Sequence, residues 1–140
     1  VDLFSWAQWK YPGQVAARFQ MNEALAHRIY AGCDLFLMPS MFEPCGLSQM
    51  IASRYGTVPV VRETGGLFDT IKPYNKFDGS GNGFTFANYN AHEMKDAVLR
   101  AVELYHDEKE WKKFAKHAME MDFSWNASAE KYLRLYDDLT

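Results

Sequence analysis

The chain has 140 residues, 48% of them hydrophobic and 24% charged, with a formal net charge of −3. These proportions suit one domain, or a piece of one, with a packed core, and they exclude wholesale disorder. The slight acidity offers no basic stripe for nucleic acid, and no apolar run is long enough to span a bilayer.

Hydrophobic periodicity takes the chain in order. Leu3–Lys10 reads as the end of a helix, broken by Tyr11-Pro12-Gly13. Val15–Phe19 reads as a short strand. Asn22 is placed to cap a helix reaching about Ala31, with Glu23 in its first turn and Gly32 ending it. Leu35–Met38 is a continuous apolar run stopped by Pro39, the pattern of a strand buried on both faces in a parallel sheet. After the loop Ser40–Cys45, Gly46–Tyr55 reads as helix. Val58–Val61 is a second buried strand, in which Pro59 suits only the first residues. Thr64-Gly65-Gly66 turns into a short helix over Leu67–Ile71. Pro73–Gly83 reads as loop and Gly83–Phe86 as the last strand. Three helices follow. Asn90 with Glu93 and Asp107 with Glu110 form capping-box-like starts, and Ser124 caps the last, Trp125–Leu139. Strand and helix alternate with short connections, which predicts a doubly wound, Rossmann-like parallel α/β sheet.

Several side chains have plain structural readings. Cys33 and Cys45 flank the Leu35–Met38 strand, which holds them apart as reduced thiols. His27, His92, His106 and His117 form no metal-ligand spacing with them. His27 and Arg28 are read as helix-face residues, Trp111, Phe114 and Met121 as core, and the charges of Lys109–Lys113 as a solvated face. The sequon Asn126-Ala127-Ser128 is short enough to arise by chance.

In doubly wound sheets, ligands bind beyond the carboxyl ends of the strands. Two loops of unusual content fall there. In Ser40–Ser48, Gly46 lets a ligand approach the backbone, and the amides of Gly46, Leu47 and Ser48 sit at the positive end of a helix. That suits a phosphate or sugar hydroxyls. Glu43 either accepts hydrogen bonds from a sugar, stabilises positive charge on a reacting sugar carbon, or merely caps the turn. In Arg62–Leu67, Gly65 and Gly66 open a second helix, a further anion site or simply a tight turn. Together the two loops point to a diphosphate-bearing ligand such as a nucleotide sugar.

These same residues resemble bacterial glycogen synthases and plant starch synthases. The resemblance rests on Ala26–Asp34, on Phe42-Glu43-Pro44-Cys45-Gly46-Leu47, on Tyr55–Arg62 followed by Thr64-Gly65-Gly66-Leu67, and on Asp122-Phe123-Ser124-Trp125, in family order along almost the whole chain. It implies the C-terminal part of a GT-B fold, two Rossmann-like domains around a cleft. It further implies a retaining transferase that moves glucose from ADP-glucose to the non-reducing end of an α-1,4-glucan, in the cytoplasm and without a metal or other cofactor. On this resemblance Glu43 is catalytic, and Gly46, Leu47, Ser48, Thr64, Gly65, Gly66 and Met21 bind the donor. Departures are Met41 where the family often has arginine, Ser48 for threonine, Met21 for a tyrosine near the adenine, and Glu63 for a second arginine. The family's catalytic lysine and arginine lie upstream and have no counterpart here, so the chain alone is expected to be inactive. Another GT-B transferase or epimerase, or a non-catalytic nucleotide-binding module, are the alternatives.

Two structural expectations follow from the resemblance. The last helix, about 125–139, normally packs on the N-terminal domain, so its stripe of Trp125, Ala129, Tyr132, Leu133 and Tyr136 is expected to be exposed, docked elsewhere or used in self-association. In the strand order 3-2-1-4-5-6, Val15–Phe19 is the third strand and Leu35–Met38 the fourth, with two strands absent between them. Val15–Phe19 is therefore expected to shift and pair with Leu35–Met38, unless another chain fills the edge or the piece folds poorly.

Overall fold

The computed structural model describes residues 1–139; Thr140 lies outside the described residues. Along the chain run α1 (Asp2–Lys10), α2 (Glu23–Gly32), β1 (Leu35–Met38), α3 (Ser48–Arg54), β2 (Val58–Arg62), α4 (Gly65–Thr70), β3 (Phe84–Phe86), α5 (Ala91–Tyr105), α6 (Glu108–Glu120) and α7 (Trp125–Asp137). The three strands form one parallel sheet in the order β1-β2-β3, with Leu35 opposite Val58 and Val60 opposite Phe84. The β2–β3 pairing begins one residue beyond Pro59, so the missing N–H of that proline removes no rung on the β3 side.

Helix starts follow from local chemistry. Side-chain oxygens of Asn22, Asn90, Asp107 and Ser124 accept from the amides of Leu25, Glu93, Glu110 and Ala127, each satisfying a donor that the helix leaves unpaired. The capping box expected at Asn90 and Glu93 is only half formed: the Asn90 amide donates to the Asn88 carbonyl, and the Glu93 carboxylate accepts from the amide of Asn88 at 2.8 Å instead.

Successive residues of a strand point to opposite faces, and the two faces bury different partners. Val58, Val60, Phe84 and Phe86 pack with Ala97, Ala101 and Leu104 of α5 and with Trp111 and Phe114 of α6. On the opposite face Val61 packs with Leu67 of α4 and with Ile71 just after it, with Met38 beside them. Trp111 and Phe114 are core residues as their spacing predicts, while Met121 is half-buried. Helices on both faces of a parallel sheet make the fold α/β and doubly wound.

The expected strand at Val15–Phe19 is not formed. That segment has no regular structure, and the Ala17 amide donates instead to Gln8 Oε1 at 2.7 Å. It does not shift to pair with β1, whose outer edge meets no strand among the described residues. A short strand has no stability without a ladder partner, and five residues containing two alanines supply little apolar area to recruit one. The periphery is correspondingly loose. Neither α1 nor α7 contains a buried residue, and Trp125, Tyr132, Leu133 and Tyr136 of the last stripe are all exposed. No helix among the described residues is long and apolar enough to cross a membrane.

Candidate functional site

The β1–α3 and β2–α4 loops lie side by side because β1 and β2 are hydrogen-bonded neighbours running the same way. Both loops leave the carboxyl ends of their strands, where doubly wound sheets present ligands. They touch through backbone: the Gly66 amide donates to the carbonyls of Glu43 at 3.3 Å and Pro44 at 3.2 Å. A Cβ at Gly65 would collide with the Glu43 carbonyl, and one at Gly66 with Cys45. The glycine pair is thus required by close approach of the two loops, and the Gly66 amide is already committed.

Further donors hold the same loop. Gln49, fully buried in the first turn of α3, gives its side-chain amide to the carbonyls of Cys45 at 3.2 Å and Gly46 at 2.9 Å and to Thr70 Oγ1 at 3.2 Å. Arg62, at the end of β2, donates from Nη1 to the carbonyls of Met41 at 2.7 Å and Ser40 at 3.5 Å. Five carbonyls around Glu43, together with its own, therefore face protein donors. The amides of Gly46, Leu47 and Ser48 have no protein partner among the described residues. Carbonyls held inward and amides left open make a surface of positive dipole ends, to which an anion or a hydroxyl oxygen is attracted.

Gly46 has φ +74°, in the region favouring glycine, and the backbone turns there before α3 begins at Ser48. The helix therefore starts two residues later than its apolar pattern predicts. Glu43 is half-buried, and its carboxylate accepts one long hydrogen bond, from Ser40 Oγ at 3.4 Å. Leu47 is exposed and Ser48 half-buried; Thr64 occupies the N-cap position of α4 without a capping bond from its side chain.

Of the expected site residues, the structure brings together Glu43, Gly46, Leu47, Ser48, Thr64, Gly65 and Gly66. It does not join Met21 to them. Met21 is fully exposed before α2 and lines a separate groove with Phe19, Leu25, His27 and Tyr30. His27 is engaged there, its Nδ1 lying 3.1 Å from the Tyr55 hydroxyl. Gln49 and Arg62 escaped sequence reasoning because most of their partners lie in loop backbone, which no side-chain pattern encodes, and the Thr70 hydroxyl that Gln49 also meets is 21 residues away. Cys33 and Cys45 are both free and exposed. Among the described residues no group of three His, Cys, Asp or Glu side chains is placed to hold a metal ion.

Comparison with known proteins places this geometry in context. Glycogen synthase of Lachnospira eligens is 55% identical over 139 residues, covering 99% of this chain and 29% of the relative. Glycogen synthase of Bacillus anthracis is 55% identical over 138 residues, with the same shares covered. The catalytic domain of starch synthase IV from Arabidopsis thaliana, solved bound to ADP and acarbose, matches with a TM-score of 0.82 and 39% identity, over 98% of this chain and 29% of that one. The chain thus spans under a third of the length of these relatives. A family model described as glycosyl transferases group 1 matches residues 8–118, so both candidate loops and the whole sheet fall within it. The chain belongs to the group 1 glycosyl transferases.

Proposed function

We propose that this chain is the donor-binding part of a GT-B glucosyltransferase that extends an α-1,4-glucan from ADP-glucose with retention of configuration. The observation that carries the reading is the loop around Glu43: its carbonyls are held inward, the amides of Gly46, Leu47 and Ser48 are open, and a half-buried carboxylate stands beside them. Open amides stabilise negative charge on a diphosphate leaving group, and they do so without reorganising as the bond breaks. Glu43 accepts hydrogen bonds from the donor sugar and stabilises positive charge developing at its anomeric carbon. Thr64 and Gly65 border the same space, and Met21 serves the base-binding side once further chain closes over it.

The high identity to glycogen synthases and the ADP-bound starch synthase fold support the donor assignment. An α-glucan acceptor fits the same relatives, and a cytoplasmic, metal-independent reaction is part of the proposal. Because the relatives are more than three times as long, the acceptor side and the basic residues facing the diphosphate are assigned to chain outside this segment. The exposed stripe of α7 packs on that part, and in the isolated chain it is free to self-associate. Measuring glucan elongation by a full-length protein containing this segment, with ADP-glucose and UDP-glucose in parallel, tests the reading. Elongation from ADP-glucose is expected; no elongation from either donor overturns it.

A further inference from the structure

We infer that Arg62 is a positioning residue for Glu43, acting through the loop backbone; the inference rests on the proposed role of Glu43. The carboxylate itself is poorly anchored, with one 3.4 Å hydrogen bond from Ser40. Its location is therefore set by the backbone that carries it. On the C-terminal side that backbone is held by the Gly66 amide and the Gln49 side chain. On the N-terminal side, Met41 and Phe42 are exposed and contribute no packing anchor, 54% and 82% accessible respectively. There the side-chain anchor is the Arg62 guanidinium, whose Nη1 donates to the carbonyls of Met41 and Ser40.

The guanidinium is in turn fixed from the other side. Its central carbon lies 5.8 Å from the centroid of the Tyr89 ring, on the segment leading into α5. Its Nε is buried without a partner, an arrangement that disfavours the position unless the bonds made at the other end compensate. Charge-assisted donation to a carbonyl is among the stronger hydrogen bonds, and here the anchor is the 2.7 Å bond from Nη1 to Met41, with a weaker 3.5 Å contact from the same nitrogen to Ser40. Arg62 thus ties β2 and Tyr89 to the half of the Glu43 loop that, among the described residues, no other hydrogen-bonding side chain from outside the loop grips. Reactions of oriented groups lose about 100-fold when a group is misplaced by about 1 Å, so loosening this tie acts on turnover more than on donor affinity.

The test uses a full-length protein containing this segment and compares Glu43→Ala, Arg62→Met and the double variant in turnover and donor KM. Arg62→Met is expected to lower turnover by about 10–100-fold with donor KM within about threefold, and Arg62→Lys to fall between it and the parent. In the Glu43→Ala background, Arg62→Met is expected to change turnover by less than about twofold, since the group it positions is gone. The inference is overturned by either of two results: Arg62→Met with parent-like turnover while Glu43→Ala is deeply impaired, or two effects that multiply in full in the double variant. Near-normal turnover of Glu43→Ala is a different failure; it removes the proposed role of Glu43 and the positioning role with it. Should Arg62→Met not fold, Tyr89→Leu carries the comparison. It loosens the guanidinium without removing it and is expected to lower turnover severalfold only where Glu43 is present. Parent-like turnover of Tyr89→Leu with Arg62→Lys also unimpaired overturns the inference.

Discussion

The Gly66 amide donates to the Glu43 carbonyl at 3.3 Å, fastening the β2–α4 turn directly beneath the residue proposed to face the donor sugar. A methyl group at position 66 would meet Cys45 backbone, which cannot yield as a flexible side chain can. Gly66→Ala is expected to destabilise the chain by about 1–3 kcal/mol. Gly32→Ala is the control: a Cβ there meets nothing within 4 Å, so that change should be neutral or stabilise by up to about 1 kcal/mol. Urea denaturation of both variants reads the difference, and equal midpoints would refute the close-approach argument.

Glu43→Ala in a full-length protein is expected to lower turnover by about 100-fold or more while leaving the melting temperature nearly unchanged, because the carboxylate makes only one long contact. Steady-state assays together with thermal melts decide this. A matched loss of stability would make Glu43 a turn-capping residue.

Gln49 is a stability determinant despite its polarity. Its two amide hydrogens are shared among three acceptors in a fully buried setting, which outweighs a buried Oε1 left without a partner. Gln49→Leu keeps the volume but strands the carbonyls of Cys45 and Gly46, and a loss of about 1–3 kcal/mol is expected. The same variant should speed amide exchange at Gly66, since the loop it faces is loosened. Unchanged stability would mean that solvent satisfies those carbonyls.

The isolated chain is expected to transfer no glucose, since the basic residues facing the diphosphate and the acceptor side are assigned elsewhere. Glucan elongation by the purified 140-residue chain would contradict that. The exposed α7 side chains make a companion expectation. Replacing Tyr132, Leu133 and Tyr136 with polar residues should change the stability of the dilute chain by less than about 0.5 kcal/mol and reduce any concentration-dependent association seen by sedimentation.

Acid sensitivity should centre on exposed carboxylates at helix starts. The side-chain amide of Asn88 holds the Glu93 carboxyl below its ordinary value, helped by the Asn88 backbone amide. A lowered folded-state value means that the charged form is favoured by folding. Its stabilising contribution is therefore complete above the ordinary value of 4.5 and is lost as pH falls through the lowered one. Ser124 lowers the Asp122 carboxyl in the same direction. Glu93→Gln is expected to flatten the fall of stability with pH in that acidic window and to leave its slope near neutrality unchanged, as followed by denaturation at stepped pH.

Local chemistry alone specifies the starts of α2, α5, α6 and α7. Asn22, Asn90, Asp107 and Ser124 each reach an amide three residues on, so nothing distant is needed to place them. The apolar runs at Leu35–Met38 and Val58–Val61 likewise mark strands, but only the second is buried: β1 lies at the sheet edge with Leu37 exposed, against the burial on both faces that its sequence predicts. The composition of the two following loops marks where a ligand could bind. Tertiary structure decides what depends on partners far along the chain. Val15–Phe19 has strand-like residues but no ladder to join, and so it remains irregular. Arg62 reaches Met41 across 21 residues, and Gln49 reaches Thr70 across the same separation. Gly65 and Gly66 look like turn residues until the Glu43 loop is laid against them. Contacts of this kind come into being only when parallel pairing of β1 and β2 brings the loops together; most of the acceptors are backbone carbonyls that every residue carries alike, and the Thr70 hydroxyl is matched to Gln49 only by the fold.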